Sequence, residues 1–397
     1  MFEKIEMAPP DAILGLTEAF KNDPRPEKVN LGVGVYKDEK NNTPIFESVK
    51  KAEERLLDAE KTKSYLPMPG DPAYGRNVRE MIFGAGSEII ESKRAVTMHT
   101  PGGTGALRIG GDFLVKLQLA RRIWVSSPTW ANHKAVFQAA GLEIASYPYY
   151  DAGGKQLAFD EMTRALEQAP PGDVVLFHAC CHNPTGIDPT PEQWGKLAEL
   201  TRRAGFLPFF DFAYQGLGDG LEEDAQGLRQ FCDAGCEMLV ASSFSKNFGL
   251  YNERVGALTL VAAGADAAER ALSQLKLCVR TSYSNPPSHG GAIVTTVLGD
   301  PELRKTWETE VRAMCGRING MRELFVETLS KLGVKQDFSF IARQKGMFSF
   351  SGLTPEQVNR LREEDAIYIV GSGRINVAAL TPDNIEPVCK AIAGVLS

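Results

Sequence analysis

Val174-Val175-Leu176-Phe177-His178-Ala179-Cys180 is an apolar run too continuous for a strand with one wet face. A strand buried on both sides reads this way, as in a parallel sheet covered by helices. Working outward, Pro191–Ala204 has a helical period with a proline near its start, and Phe206–Phe210 is the next apolar run. Ile123–Ser126, Met238–Ala241 and Ala257–Val261 read as further strands, and Gly103–Leu119 as a helix opened by a glycine-rich turn. Strands alternating with helices predict an α/β architecture around a mostly parallel sheet.

The C-terminal part has a different texture. Pro301–Leu332 is a long charged stretch of helical period, with Trp307, Val311, Met314, Ile318, Met321 and Phe325 on its apolar stripe. Gly346–Ser351, an amphipathic helix at Pro355–Glu364, a strand at Ile367–Val370, Arg374–Ala379 and a last helix from about Asn384 follow. This is α+β texture, so a second domain is expected there, with its boundary near residue 313. No glycine–serine linker marks the change.

Composition narrows the function. The 397 residues carry 44 Lys plus Arg against 50 Asp plus Glu, a net charge of −6, which gives no reason to expect nucleic-acid binding. The longest mostly apolar run, Val255–Ala265, has 11 residues and is too short to span a membrane. The first residues, with Glu3, Glu6 and Asp11, do not form a secretory signal. Seven cysteines, an odd number, make no disulfide framework. Cys180-Cys181-His182 and Cys232…Cys236 lack a second matching pair, so no metal site is expected. A reduced, soluble, cytoplasmic enzyme fits this composition.

Three of the strands run into polar residues. After Val174–Cys180 comes His182-Asn183-Pro184-Thr185-Gly186; Phe206–Phe210 ends at Asp211 with Tyr214 beyond; Met238–Ala241 ends at Ser242-Ser243-Phe244-Ser245-Lys246. In open α/β sheets ligands bind at the carboxyl ends of strands. Taken singly, Asp211 also fits a helix cap, Asn183-Pro184 a turn, and Lys246 a surface lysine. Thr100-Pro101-Gly102-Gly103-Thr104-Gly105-Ala106-Leu107 offers N–H groups at a helix N-terminus, suited to a phosphate or equally to a plain tight turn. It lacks the third glycine of a dinucleotide fingerprint and the Gly-Lys-Ser/Thr of a P-loop.

Ser243-Phe244-Ser245-Lys246-Asn247-Phe248-Gly249-Leu250-Tyr251-Asn252-Glu253-Arg254-Val255-Gly256 is far more specific. It resembles the lysine signature of the class I pyridoxal-phosphate aminotransferases. Gly103-Thr104-Gly105, Asn183-Pro184-Thr185-Gly186, Asp211-Phe212-Ala213-Tyr214 and Ser372-Gly373-Arg374-Ile375-Asn376 occur in that family's order. Asn30-Leu31-Gly32-Val33-Gly34-Val35-Tyr36-Lys37 is similar to the aspartate/aromatic amino-acid subgroup. The resemblance covers essentially the whole chain. It implies a large domain with a mostly parallel seven-stranded sheet flanked by helices, and a smaller α+β domain built from both chain ends. The implied layout is an N-terminal arm at 1–12, small-domain segments at 13–43 and 314–397, and a cofactor-binding domain at 44–313.

The family's chemistry needs a carbanion stabilised next to an amino group, which pyridoxal phosphate supports as an electron sink. The resemblance assigns the Schiff-base lysine and proton shuttle to Lys246, and the carboxylate that keeps the pyridine nitrogen protonated to Asp211. Tyr214 and Asn183 resemble the pair that hydrogen-bonds the cofactor's phenolic oxygen. Trp130, in Ser127-Pro128-Thr129-Trp130-Ala131-Asn132-His133, resembles the residue stacked on the pyridine ring, with His133 and, on weaker grounds, His178 behind Asp211. Gly103, Thr104, Ser243, Ser245 and Arg254 match the phosphate site, where a guanidinium can bind in bidentate fashion. Arg374 matches the clamp for the substrate α-carboxylate. Gly34 and Phe348 match positions that line the substrate site. Tyr65, toward the phosphate, and Arg280, toward a distal carboxylate, match residues supplied by a neighbouring subunit, which implies a homodimer with shared sites.

Within the subgroup the markers divide. Val35, Lys37, Thr43, Thr104 and Asn285 resemble strict aspartate enzymes, whereas Ser64-Tyr65-Leu66-Pro67-Met68-Pro69-Gly70 is closer to the aromatic side. The expectation is transamination between aspartate and/or an aromatic amino acid and 2-oxoglutarate by a ping-pong mechanism, with a strict aspartate enzyme as the alternative. A β-lyase or decarboxylase on the same cofactor is the nearest rival, and a non-catalytic binding module a more distant one.

Overall fold

The computed structural model describes residues 1–7 and 14–396. The chain divides into two compact units, Pro44–Arg317 and Met1–Thr43 with Ile318–Ser397. The division falls inside the helix Pro301–Lys331, so the sequence there stays helical and carries no linker signal.

The larger unit holds a seven-stranded sheet. In chain order its strands are β1 (Ala95–Pro101), β2 (Arg122–Ser127), β3 (Glu143–Pro148), β4 (Val174–His178), β5 (Leu207–Phe212), β6 (Met238–Ser243) and β7 (Val255–Val261). Their spatial order is β1-β7-β6-β5-β4-β2-β3. Only β7 runs antiparallel to its neighbours; the pairings β2–β3, β2–β4, β4–β5 and β5–β6 are parallel. Every residue of β4, β6 and β7 is buried, which accounts for their largely apolar character. The connecting helix Pro191–Ala204 starts at a capping box: Thr190 Oγ1 accepts from the Gln193 N–H and Gln193 Oε1 accepts from the Thr190 N–H. It ends at Gly205 in the left-handed conformation, φ 74°.

The core forms where helix Gly102–Lys116 lies on the sheet, with Leu107, Phe113, Val125, Phe137, Leu176 and Phe209 among its buried residues. Close approach explains a glycine there. A Cβ on Gly110 would come within 2.5 Å of the Phe209 ring.

The smaller unit has two short sheets. Val29–Asn30 pairs in parallel with Ile367–Tyr368, and Phe348–Phe350 pairs antiparallel with Arg374–Asn376. Among the described residues no helix is long and apolar enough to cross a membrane.

Candidate active site

The parallel register of the larger unit sets neighbouring functional groups side by side. Asp211 on β5 is the partner of His178 on β4 and of Ala241 on β6. Asn183 lies beyond the end of β4, Tyr214 beyond β5, and Lys246 beyond β6. The Lys246 ammonium sits 4.9 Å from the centroid of the Tyr214 ring. Burial pushes the Lys246 pKa below its usual value; the charge of Asp211 opposes that shift and the charge of Arg254 adds to it.

Asp211 is the end of a hydrogen-bond chain. Its Oδ2 is 2.9 Å from His133 Nε2, and His133 Nδ1 is 2.7 Å from Thr129 Oγ1. If the Thr129 hydroxyl donates to Nδ1, the imidazole proton lies on Nε2 and is donated to the carboxylate. Burial raises the affinity of Asp211 for a proton. The His133 hydrogen bond, with the charges of His133, His178 and Lys246, outweighs it and holds the carboxyl below its ordinary value. Trp130 meets the His133 ring edge-on, centroids 5.2 Å apart. His178 lies 5.1 Å from His133, and burial pushes it down to about 3.

A second cluster gathers at the start of helix Gly102–Lys116, which has no side-chain cap. Ser243 Oγ donates to Ser245 Oγ at 3.2 Å, and Arg254 Nη1 donates to the same Ser245 oxygen at 3.2 Å. A Cβ on Gly102, φ +75°, would collide with the Arg254 guanidinium, and one on Gly103 would meet Ser243 Cβ at 3.0 Å. Backbone N–H groups at Gly103 and Thr104, two hydroxyls and a guanidinium make a set that suits a phosphate dianion.

Tyr65 and Arg280 stand apart from these clusters. Tyr65 is 92% exposed, and Arg280 donates to Ser284 Oγ at 2.8 Å on the surface. Among the described residues neither forms a hydrogen bond, ion pair or ring contact with the Lys246–Asp211 cluster.

In the smaller unit, Gly34, Phe348 and Arg374 come together. The Arg374 guanidinium lies 4.1 Å from the Phe348 ring centroid and donates from Nη2 to the Gly32 carbonyl at 2.6 Å. A Cβ on Gly34 would meet Phe348 Cζ at 2.7 Å, so glycine is required for this approach. Asn376 secures the same segment, donating from Nδ2 to the Val33 and Val35 carbonyls at 2.6 and 2.9 Å.

Several supporting residues escape the sequence reading. Thr129 sits four residues before His133 in a quoted motif, and that spacing was its only signal. Cys180, Cys181 and Asp224 are buried with potential ligand atoms within 4.8 Å of one another, as are His133, His178 and Asp211. The family resemblance had brought His133 and His178 to Asp211, whereas the distance of Asp224 from Cys180 and Cys181 along the chain hides the second group.

The sequence profile for aminotransferase class I and II matches residues 26–392. The chain belongs to this family and is an aminotransferase. It is 59% identical to an aspartate aminotransferase of Escherichia coli (strain K12) over 396 residues, covering 100% of both chains. It is 48% identical to an aromatic-amino-acid aminotransferase of Pseudomonas aeruginosa, covering 99% of this chain and 98% of the other. Its fold is similar to the crystal structure of an aromatic-amino-acid aminotransferase from Burkholderia pseudomallei covalently bound to pyridoxal phosphate, with TM-score 0.98, 50% identity and 100% of each chain covered.

Proposed function

We propose that the protein transfers an amino group from aspartate or an aromatic amino acid to 2-oxoglutarate, using pyridoxal phosphate on Lys246, as a cytoplasmic homodimer with shared sites. The observation that carries this reading is the Thr129–His133–Asp211 chain beside Lys246. Such a carboxylate, anionic and backed by an imidazole, suits a protonated pyridine nitrogen. When bound, the cofactor supplies the electron sink for a carbanion next to nitrogen.

The chain's own residues do the rest. The anionic carboxylate of Asp211, backed by His133, would keep the cofactor's pyridine nitrogen protonated. Lys246 Nζ moves the substrate α-proton, and its lowered pKa keeps more of the amine in the neutral, basic form. Asn183 and Tyr214 would hydrogen-bond the cofactor's phenolic oxygen, and Trp130 would pack against its ring. Gly103, Thr104, Ser243, Ser245 and Arg254 bind the phosphate. Arg374 orients the substrate through its α-carboxylate, with Phe348 and Gly34 beside it. Tyr65 and Arg280 reach the phosphate and the distal substrate carboxylate from the second copy of the chain.

Steady-state rates with 2-oxoglutarate and either aspartate or phenylalanine test the reading. Transamination of both supports the dual enzyme. Activity with aspartate alone selects the strict aspartate enzyme, which Val35, Lys37, Thr43, Thr104 and Asn285 favour. No glutamate from either substrate overturns the proposal.

A further inference from the structure

Two carboxylates stand behind the loops that carry Asn183 and Tyr214. Asp188 Oδ2 accepts from the Cys181 N–H at 2.7 Å and its Oδ1 from the His182 N–H at 2.9 Å, so it grips the two residues just before Asn183. Asp224 Oδ2 accepts from the Gly216 and Gly218 N–H groups at 2.8 and 2.9 Å, and its Oδ1 from Asp219 at 2.9 Å. That loop begins two residues after Tyr214, whose carbonyl accepts from the Leu217 N–H at 3.0 Å.

Both loops need such support. Cys181 has φ +52° and Gly216 φ +92°, left-handed conformations, and for a cysteine this is costly unless neighbouring interactions fix it. Charge-assisted bonds from N–H groups to a carboxylate are strong and directional. The two supports also form one cluster. Asp188 acts electrostatically on Asp224, and the thiols of Cys180 and Cys181 lie near both. Burial pushes the Asp224 carboxyl up to about 6; the three N–H donors oppose this and Asp188 adds to it.

We propose that Asp188 and Asp224 are positioning residues that aim Asn183 and Tyr214 at the phenolic oxygen of the lysine-bound cofactor. In this way they set how tightly the lysine–cofactor nitrogen holds its proton. The inference rests on the functional reading above. Donors aimed at the phenolic oxygen stabilise its negative charge, and they weaken quickly when distance or angle drifts. With the aim lost, the lysine–cofactor nitrogen keeps its proton to higher pH.

The test is a spectrophotometric pH titration of the holoenzyme, comparing wild type with Asp188→Asn, Asp224→Asn and Tyr214→Phe. Asp173→Asn is the control, since Asp173 accepts from Trp124 Nε1 at 2.8 Å just before β4, away from the strand ends in question. Asp188→Asn and Asp224→Asn should raise the midpoint, a roughly three- to tenfold gain in proton affinity, in the same direction as Tyr214→Phe. Asp173→Asn should match wild type. If Tyr214→Phe shifts the midpoint and both aspartate variants match wild type, the two carboxylates are merely structural and the inference fails. If Tyr214→Phe does not shift it, the assignment of Tyr214 falls and takes the inference with it. If Asp224→Asn does not fold, Asp224→Glu keeps the charge but displaces the carboxylate; it should also raise the midpoint, and an unchanged value counts against the role.

Discussion

The Lys246–Asp211 cluster and the Tyr65–Arg280 pair represent two ways of placing a functional side chain. Around Asp211 the chain supplies every layer itself: a buried carboxylate, an imidazole at 2.9 Å, and a hydroxyl behind that imidazole at 2.7 Å. Tyr65, by contrast, is 92% exposed, and Arg280 has only Ser284 as its hydrogen-bond partner among the described residues. The difference teaches that the chain builds the surroundings of Asp211 by itself, whereas Tyr65 and Arg280 gain a role in the site only under the proposed sharing between two copies.

The preorganised half breaks most severely. Asp211→Ala removes the anion that balances the pyridinium, so turnover should fall by about a thousandfold or more, and Asp211→Glu should retain more activity than Ala. Equal rates for wild type, Ala and Glu would remove Asp211 from the mechanism.

The shared half should be recoverable. Lys246→Ala and Tyr65→Phe or Arg280→Leu variants, each weak or inactive alone, should regain activity on mixing, because one site of each heterodimer then has all its residues. No recovery after verified subunit exchange contradicts a shared site.

A smaller effect separates substrates. Arg280→Leu should lower kcat/KM for aspartate by roughly 3 kcal/mol, about a hundredfold, since it leaves the distal carboxylate without its partner. Phenylalanine should be nearly unaffected if Arg280 swings clear of aromatic substrates. Equal losses for both substrates count against the dual reading.

The last effect is on stability rather than on turnover. Burial holds His178 at about 3 and His99 at about 4, so the unfolded chain binds more protons below the ordinary histidine pKa. Stability should therefore fall as pH drops from about 6.5 toward 4, by up to about 1.4 kcal/mol per pH unit for each group. Thermal melts of His178→Gln should show a shallower acid decline than wild type; parallel curves contradict the assignment.

Within the seven-stranded sheet, the strands readable in the sequence are the five interior ones, β7, β6, β5, β4 and β2. The two that single-residue reading misses, Ala95–Pro101 and Glu143–Pro148, are the edges of the sheet. β3 buries only Tyr147, so it has almost no apolar signal. β1 is buried but carries polar residues satisfied within the sheet, such as Thr97, whose hydroxyl is 3.0 Å from that of Thr259. Seven strands came from the family resemblance, which sees order along the chain rather than hydrophobicity.

The candidate site divides in the same way. Residues at strand ends were legible because an Asp, Asn, Tyr or Lys after a buried run has no place in a core. Asp188 and Asp224 were not, because they accept from backbone N–H groups and nothing in their own neighbourhoods distinguishes them. Asp224 follows Glu222 and Glu223 and reads as part of an exposed acidic run. The pairing of His133 with Asp211 spans 78 residues and was expected only from the family resemblance; no local spacing reveals it.

The central claim is that Lys246 carries the cofactor while it transfers amino groups. Reducing the holoenzyme with borohydride and mapping the modified peptide by mass spectrometry tests it most directly. The pyridoxyl group is expected on Lys246, with loss of activity in proportion to labelling. A label on another lysine, or a protein that takes up no pyridoxal phosphate, would contradict it.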